Sequence, residues 1–288
     1  MAKLYVVATP IGNLQDWSPR AAETLRSADL IAAEDTRVTG KLCQVFGIHT
    51  PLTSCHQHNE NSKGPALAER ILEEDLTAVL TTDAGTPCVS DPGYALVEAC
   101  LERGIEVQPI PGCCAAVAAL SVSGFDTREF AFYGFLPREK KDLREKLRSI
   151  TGKTSIAVVH ESPFRVRELV RTILEELPEA RLSVSCDLTK MYEKTIHGSP
   201  ADVLRELELN EKAEKGEYCL VLDLHGIPAP APEPAPGGDS LEARLVDEMI
   251  RGGLTLRDAQ NELVRSGEKK NAVKQAALNL KKLFGSAD

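Results

Sequence analysis

The sequence has no long hydrophobic run, few aromatic residues and no C-x-x-C cysteine pair. Its apolar runs end after about seven residues, well short of the roughly twenty a membrane span needs, so no transmembrane helix is expected. The opening MAKLYVVATPIG carries one lysine ahead of a strand-length apolar run. That run is too short for the core of a secretory signal, and a cytoplasmic location is expected. Eight cysteines occur without a C-x-x-C pair, which favours reduced, mostly buried thiols over disulfides. His56-Gln57-His58 has no Cys or His cluster near it, so no metal is expected. There is no G-x-G-x-x-G opening a helix and no G-x-x-x-x-G-K-[ST], which removes a dinucleotide fold and a nucleotide-triphosphate loop. Positive charge is also short, with 34 Lys and Arg against 43 Asp and Glu and a net charge of −9. Taken alone, that balance argues against a nucleic-acid partner.

The average hides local structure. Residues 138–153, REKKDLREKLRSITGK, hold seven basic and three acidic side chains, among them Arg138, Lys140, Lys141 and Arg144. Such a segment is either a solvated helix face laced with ion pairs or a surface for an anionic partner.

Periodicity predicts an α/β protein. Short apolar runs at 4–8, 29–33, 52–56, 77–82 and 106–110 read as central strands, and helical patterns at 19–27, 37–46, 61–74 and 92–103 lie between them. This alternation implies a largely parallel sheet. A second α/β unit follows, with extended segments at 128–137, 154–161, 180–188, 193–198 and 217–224 and a helix over 162–177. The boundaries expected are residues 1–114 and 115–225 for the two α/β domains, 226–239 for a Pro-rich linker and 240–288 for a helical domain. That last segment carries nine basic and seven acidic residues in three amphipathic stretches, an arrangement like a helix-turn-helix unit, with Lys269 and Lys270 heading the third.

Three loops rich in Gly and Pro, TPIGN (9–13), DAGTPCVSDPG (83–93) and PIPGCCA (109–115), stand at the ends of predicted strands. Ligands of open α/β sheets settle at such strand ends. The residues by themselves imply a pocket for a small polar ligand between two α/β units. Asp91-Pro92-Gly93 reads as a helix cap.

Taken in order, LYVVATPIGNL, AEDTR, DAGTPCVSDPG, PIPGCCA, FYGFLP, HESPFR, LTKMYE and KGEYCLVL resemble the tetrapyrrole methylase fold family, specifically its branch that methylates a cytidine ribose of bacterial small-subunit ribosomal RNA. The resemblance spans about residues 3–225, and the C-terminal helices are similar to the appendix of the same enzymes. It implies S-adenosylmethionine in a cleft between the two domains, a homodimer, and 2′-O-methylation of a decoding-centre cytidine in the 16S rRNA of the assembled small subunit. Mapped residue by residue, it implies cofactor contacts at Pro10, Gly12, Asp83, Gly85, Thr86, Cys114 and Ala115. Asp35, Glu161 and Lys190, with Glu193 and Glu217 beside them, are the candidates for proton transfer. Arg37, Arg138, Lys140, Lys141, Arg144, Lys269 and Lys270 are the candidates for RNA contact. Where the related enzymes usually read Arg-Glu before LTK, this chain has Cys186-Asp187. A porphyrinoid C-methyltransferase and a non-catalytic ribosome-assembly factor are the competing readings. A small anionic macrocycle needs neither the basic segment nor the helical tail.

Overall fold

The computed structural model describes residues 1–210, 213–228 and 240–284. The chain forms two compact units, Met1–Ala229 and Pro230–Asp288. In the first unit, β1 (Lys3–Val7), β2 (Leu30–Ala33), β3 (Leu52–Ser54), β4 (Thr77–Thr81) and β5 (Glu106–Ile110) pair in the order β3-β2-β4-β1-β5. All four pairings are parallel. The inner strands β2 and β4 are covered on both faces and read as apolar runs, whereas β3 and β5, also expected to be central, are the partly exposed edges. Alternation along the strands sends Leu4, Leu30, Ala32 and Leu80 to α3 (Glu60–Glu73) and α4 (Tyr94–Glu102). It sends Val7, Ile31 and Val79 to α1 (Pro19–Ser27) and α2 (Thr36–Val45). Ser18 caps α1 by accepting from the Ala21 N–H at 3.1 Å, with Pro19 at the first helical position, where no hydrogen bond is lost. Because β4, β1 and β5 are neighbours, the loops that follow them emerge side by side.

A second sheet follows, of β6 (Ala131–Phe135), β7 (Ile156–Glu161), β8 (Arg181–Cys186), β9 (Lys194–Gly198) and β10 (Tyr218–Asp223), in the order β6-β7-β10-β8-β9. Only β6 and β7 run parallel. α5 (Ala115–Val122) lies on one face, packing Ala116, Ala119 and Leu120 on Ile156, Val158, Cys219 and Val221. α6 (Lys140–Thr151), α7 (Val166–Glu176) and α8 (Pro200–Leu209) cover the other, through Leu143, Leu147, Leu169, Val203 and Leu207.

Two expected helix starts move. The helix read over 162–177 begins at Val166, because residues 162–165 form a tight turn in which Arg165 N–H bonds the Ser162 carbonyl. The helix read from Pro92 begins at Tyr94, and Asp91 does not cap it. Gly93 stands at the cap with φ +121°, and its N–H donates to the Glu60 carboxylate at 2.7 Å.

The second unit holds α9 (Leu241–Gly252), α10 (Leu256–Arg265) and α11 (Lys270–Phe284) around Leu245, Ala259, Leu263, Val273 and Ala277. Ser240 and Thr255 cap α9 and α10, and Gly267 turns the chain toward α11 with φ +105°. From residue 229 onward, the expected linker over 226–239 lies outside the described residues. All eight cysteines are free, and Cys43, Cys55, Cys100 and Cys219 are buried. No helix among the described residues is long and apolar enough to cross a membrane.

Candidate active site

The three loops are stitched together by backbone. Thr9 and Gly85 exchange two N–H to carbonyl bonds, at 2.9 and 3.1 Å, which joins the first loop to the second. The Thr86 hydroxyl donates to the Cys113 carbonyl at 3.0 Å, which joins the second to the third. Gly85 has φ +88°, and a Cβ there would point into the space between Ile11 and the Cys113 carbonyl. The first loop also meets the second sheet. At Gly12 a Cβ would lie 2.5 Å from Lys190 Cγ and 3.1 Å from the Leu188 carbonyl.

A cavity of about 380 Å³ opens where these loops face the ends of β7 and β10, within the size range of small-molecule sites. Ile11, Ala84, Ser90 and Asp91 line it from the first half, and Phe135, His160, Glu161, Pro163, Leu188 and Glu217 from the second. Gly85, Thr86, Cys114 and Ala115 bound an adjoining recess of about 60 Å³. Of the expected cofactor residues, these four border the space directly. Pro10 and Asp83 line a separate groove of about 340 Å³ beside Val38 and Leu42, and Gly12 serves the contact between the halves.

The Asp83 carboxylate accepts from the Asp35 N–H at 3.1 Å. Burial, and then the neighbouring Glu34 charge, push its pKa up. Burial and the charges of Glu34 and Asp83 raise Asp91 further, to about 6, against a hydrogen bond from Thr82. Asp91 was legible only as a helix cap; the pairing of β2 with β4 brings Glu34 to it, and Asp83 comes from its own loop. Asp35 caps α2 and grips Arg37, with Nη2 to Oδ2 at 2.5 Å. Those bonds hold its pKa at about 2, which makes it a weak base, and it does not line the cavity.

Glu161 is 2% exposed. Its Oε1 accepts from the Ser162 N–H at 2.7 Å, and its Oε2 lies 3.2 Å from Arg165 Nη2 but accepts no hydrogen bond. Burial raises its pKa. His160 continues the face of Ile156 and Val158 on β7, so it points toward α5 and the cavity. Its ring lies 5.1 Å from that of Phe132, and burial lowers its pKa. The motif HESPFR contains it, and the period-2 register of a strand would have aimed it correctly.

Burial would lower the Lys190 pKa, but Glu217 at 3.0 Å and Asp187 at 3.5 Å together raise it. Asp187, at the departed Cys-Asp position, also accepts from the Glu217 N–H at 3.3 Å. The shortened acid therefore still organises this corner. Glu193 accepts from the Thr189 N–H at 2.8 Å.

The basic segment is partly spent within the fold. Lys140 reaches Glu168 at 3.3 Å and Arg144 reaches Glu175 at 2.5 Å and Glu176 at 3.2 Å, all on α7. Arg138 and Lys141 are exposed and enter no ion pair among the described residues. In the other unit, Lys269 and Lys270 are exposed at the start of α11, where the helix dipole disfavours cations.

The paired sheets and the loop-lined cavity between them define a methylase architecture. The chain belongs to the Tetrapyrrole (Corrin/Porphyrin) Methylases, whose family model matches residues 3–203. Within that family it is 44% identical over 225 residues to Ribosomal RNA small subunit methyltransferase I of Escherichia coli O157:H7, covering 77% of this chain and 78% of the relative. It is 40% identical over 280 residues to the protein of the same name from Haemophilus influenzae, covering 96% of each. Two solved structures share the fold. Diphthine synthase matches with a TM-score of 0.58 at 14% identity, over 76% of this chain and 89% of that one. A uroporphyrin-III C-methyl transferase from Thermus thermophilus complexed with S-adenyl homocysteine matches at 0.52 and 15%, over 77% and 97%.

Proposed function

We propose that this chain transfers the methyl group of S-adenosylmethionine to the ribose 2′-hydroxyl of a decoding-centre cytidine in 16S rRNA, on the assembled small subunit. Family membership and the names of its relatives support the reading. The observation that carries it is a cavity built from three joined loops and lined by the carboxylates of Asp91 and Glu217. A cofactor bearing an amine and a sulfonium fits there, because acids on the lining favour positive charge.

When bound, S-adenosylmethionine supplies a methyl group activated on a sulfonium. This chain's own residues do the rest. Gly85 leaves the recess open, and the backbone at Cys114 and Ala115 borders it. Glu161 stays sealed beneath the cavity wall beside Arg165. Pro163 and Leu188 keep water from the reacting atoms. Lys190 remains protonated beside Glu217 and stands as a cation, not a base. Asp91, with a pKa of about 6, is matched to take the hydroxyl proton near neutral pH, a contribution of roughly 10²–10⁴-fold. Arg37, Arg138, Lys141, Lys269 and Lys270 supply positive surface for RNA. The active form is a homodimer in the cytoplasm.

Calorimetry with S-adenosylmethionine, alongside labelled-methyl transfer to small subunits from cells lacking this enzyme, tests the reading. Cofactor binding, with label in the RNA, is expected. Label only on a uroporphyrinogen control overturns the substrate, and absence of cofactor binding overturns the site.

A further inference from the structure

Two aromatic rings on the segments that border the cavity have most of their surface in water. Phe135 is 62% exposed and Phe164 79%, although a soluble chain with only 5% aromatic residues has few rings to leave outside. Phe135 lines the cavity, with its ring 5.9 Å from that of His160. Phe164 follows Ser162 and Pro163, which also line it. Arg165 clamps the two segments side by side, donating from Nη2 to the Pro137 carbonyl at 2.9 Å and more distantly to Leu136 at 3.4 Å. Next in sequence is Arg138, exposed and without an ion-pair partner among the described residues, and close enough to act electrostatically on Glu161.

A 2′-hydroxyl can reach an interior cavity only when its nucleotide leaves the helical stack. The base on that same sugar then remains at the mouth, having lost its stacking partners. Exposed rings restore a π-face, and an unpaired guanidinium suits the adjoining phosphate. A protein partner would offer apolar cover but would leave the cation unanswered. We propose that Phe164 and Phe135 form the surface on which the base of the methyl-accepting nucleotide stacks, with Arg138 beside them taking its phosphate. The proposal rests on the RNA-methylating reading above.

Methyl transfer to small subunits, measured as KM and kcat, tests it with Phe164→Ala, Phe164→Tyr and Phe135→Leu. Stacking on one base is worth about 1–3 kcal/mol, roughly 5- to 150-fold. The expected result is a KM raised about tenfold in Phe164→Ala and Phe135→Leu, rescue in Phe164→Tyr, and cofactor affinity in Phe164→Ala within about twofold of wild type. Because Phe164 is so exposed, its unfolding temperature should not move. If wild type labels RNA and Phe164→Ala keeps its KM, the stacking surface is wrong while the function stands. If Phe164→Ala changes the sedimenting mass, the face is an interface between copies and the proposal falls. If wild type labels no RNA, the functional reading falls and takes this one with it.

Discussion

Gly12 and Lys190 touch across the two halves of the first unit so closely that a single added carbon at Gly12 would sit 2.5 Å from Lys190 Cγ. Thr189 Oγ1, at 2.9 Å, and the Leu188 carbonyl, at 3.1 Å, close the other sides. The lysine stem can yield, but the carbonyl cannot do so without moving the loop. Gly12→Ala is therefore expected to cost about 1–3 kcal/mol and to weaken S-adenosylmethionine binding, because Leu188 lines the cavity. Chemical denaturation and calorimetry would show both losses. Wild-type stability would mean that the contact relaxes freely.

Asp91 gives a pH signature. Its carboxyl keeps a proton up to about pH 6 in the folded chain, against an ordinary value of 3.8. Between those values the folded state binds more protons than the unfolded one, so this group's contribution to stability falls as pH rises. Asp91→Asn keeps the shape without the charge. It should match wild type near pH 4, unfold with a flatter pH slope up to about 6, and be the more stable protein above that. Parallel profiles in urea titrations from pH 4 to 8 would contradict the buried-carboxylate account. The same variant should lose most methyl transfer at neutral pH.

The pairing of α6 with α7 separates two kinds of cation. Lys141→Glu should weaken binding to small ribosomal subunits and reduce the steepness of its salt dependence, leaving the unfolding midpoint unchanged. Arg144→Glu should lower that midpoint as well, since it places a third acid against Glu175 and Glu176. Equal effects of both variants on stability would mean that the interhelical pairs contribute nothing measurable, as many surface pairs do.

How much of this was legible depended on how local the cause was. The runs that became β1, β2 and β4 announced themselves because burial on both faces leaves no room for polar alternation. Ser18-Pro19 marked a true helix start. Ser162-Pro163, at the head of the helix expected over 162–177, opens none, because residues 162–165 form a tight turn before the helix begins at Val166. Charge counting within residues 138–153 could not see Glu168, Glu175 and Glu176, which lie on the next helix. The ring of glycine loops was legible as a pocket. Its division was not: Pro10 and Asp83 face one groove while Gly85, Thr86, Cys114 and Ala115 face another space, since facing is decided by backbone bridges such as Thr9 with Gly85. Asp91 acquires its character from burial and then from Glu34, which only the pairing of β2 with β4 brings to it, with Asp83 of its own loop adding to the effect.

As proposed, the methyl group goes to a ribose oxygen of RNA. The most direct test is mass spectrometry of nucleosides released from small subunits after incubation with the protein and isotopically labelled S-adenosylmethionine. Label is expected in 2′-O-methylcytidine, confined to one site, and is expected to be lost with Asp91→Asn. Label on a base, or on no nucleoside at all, would contradict it.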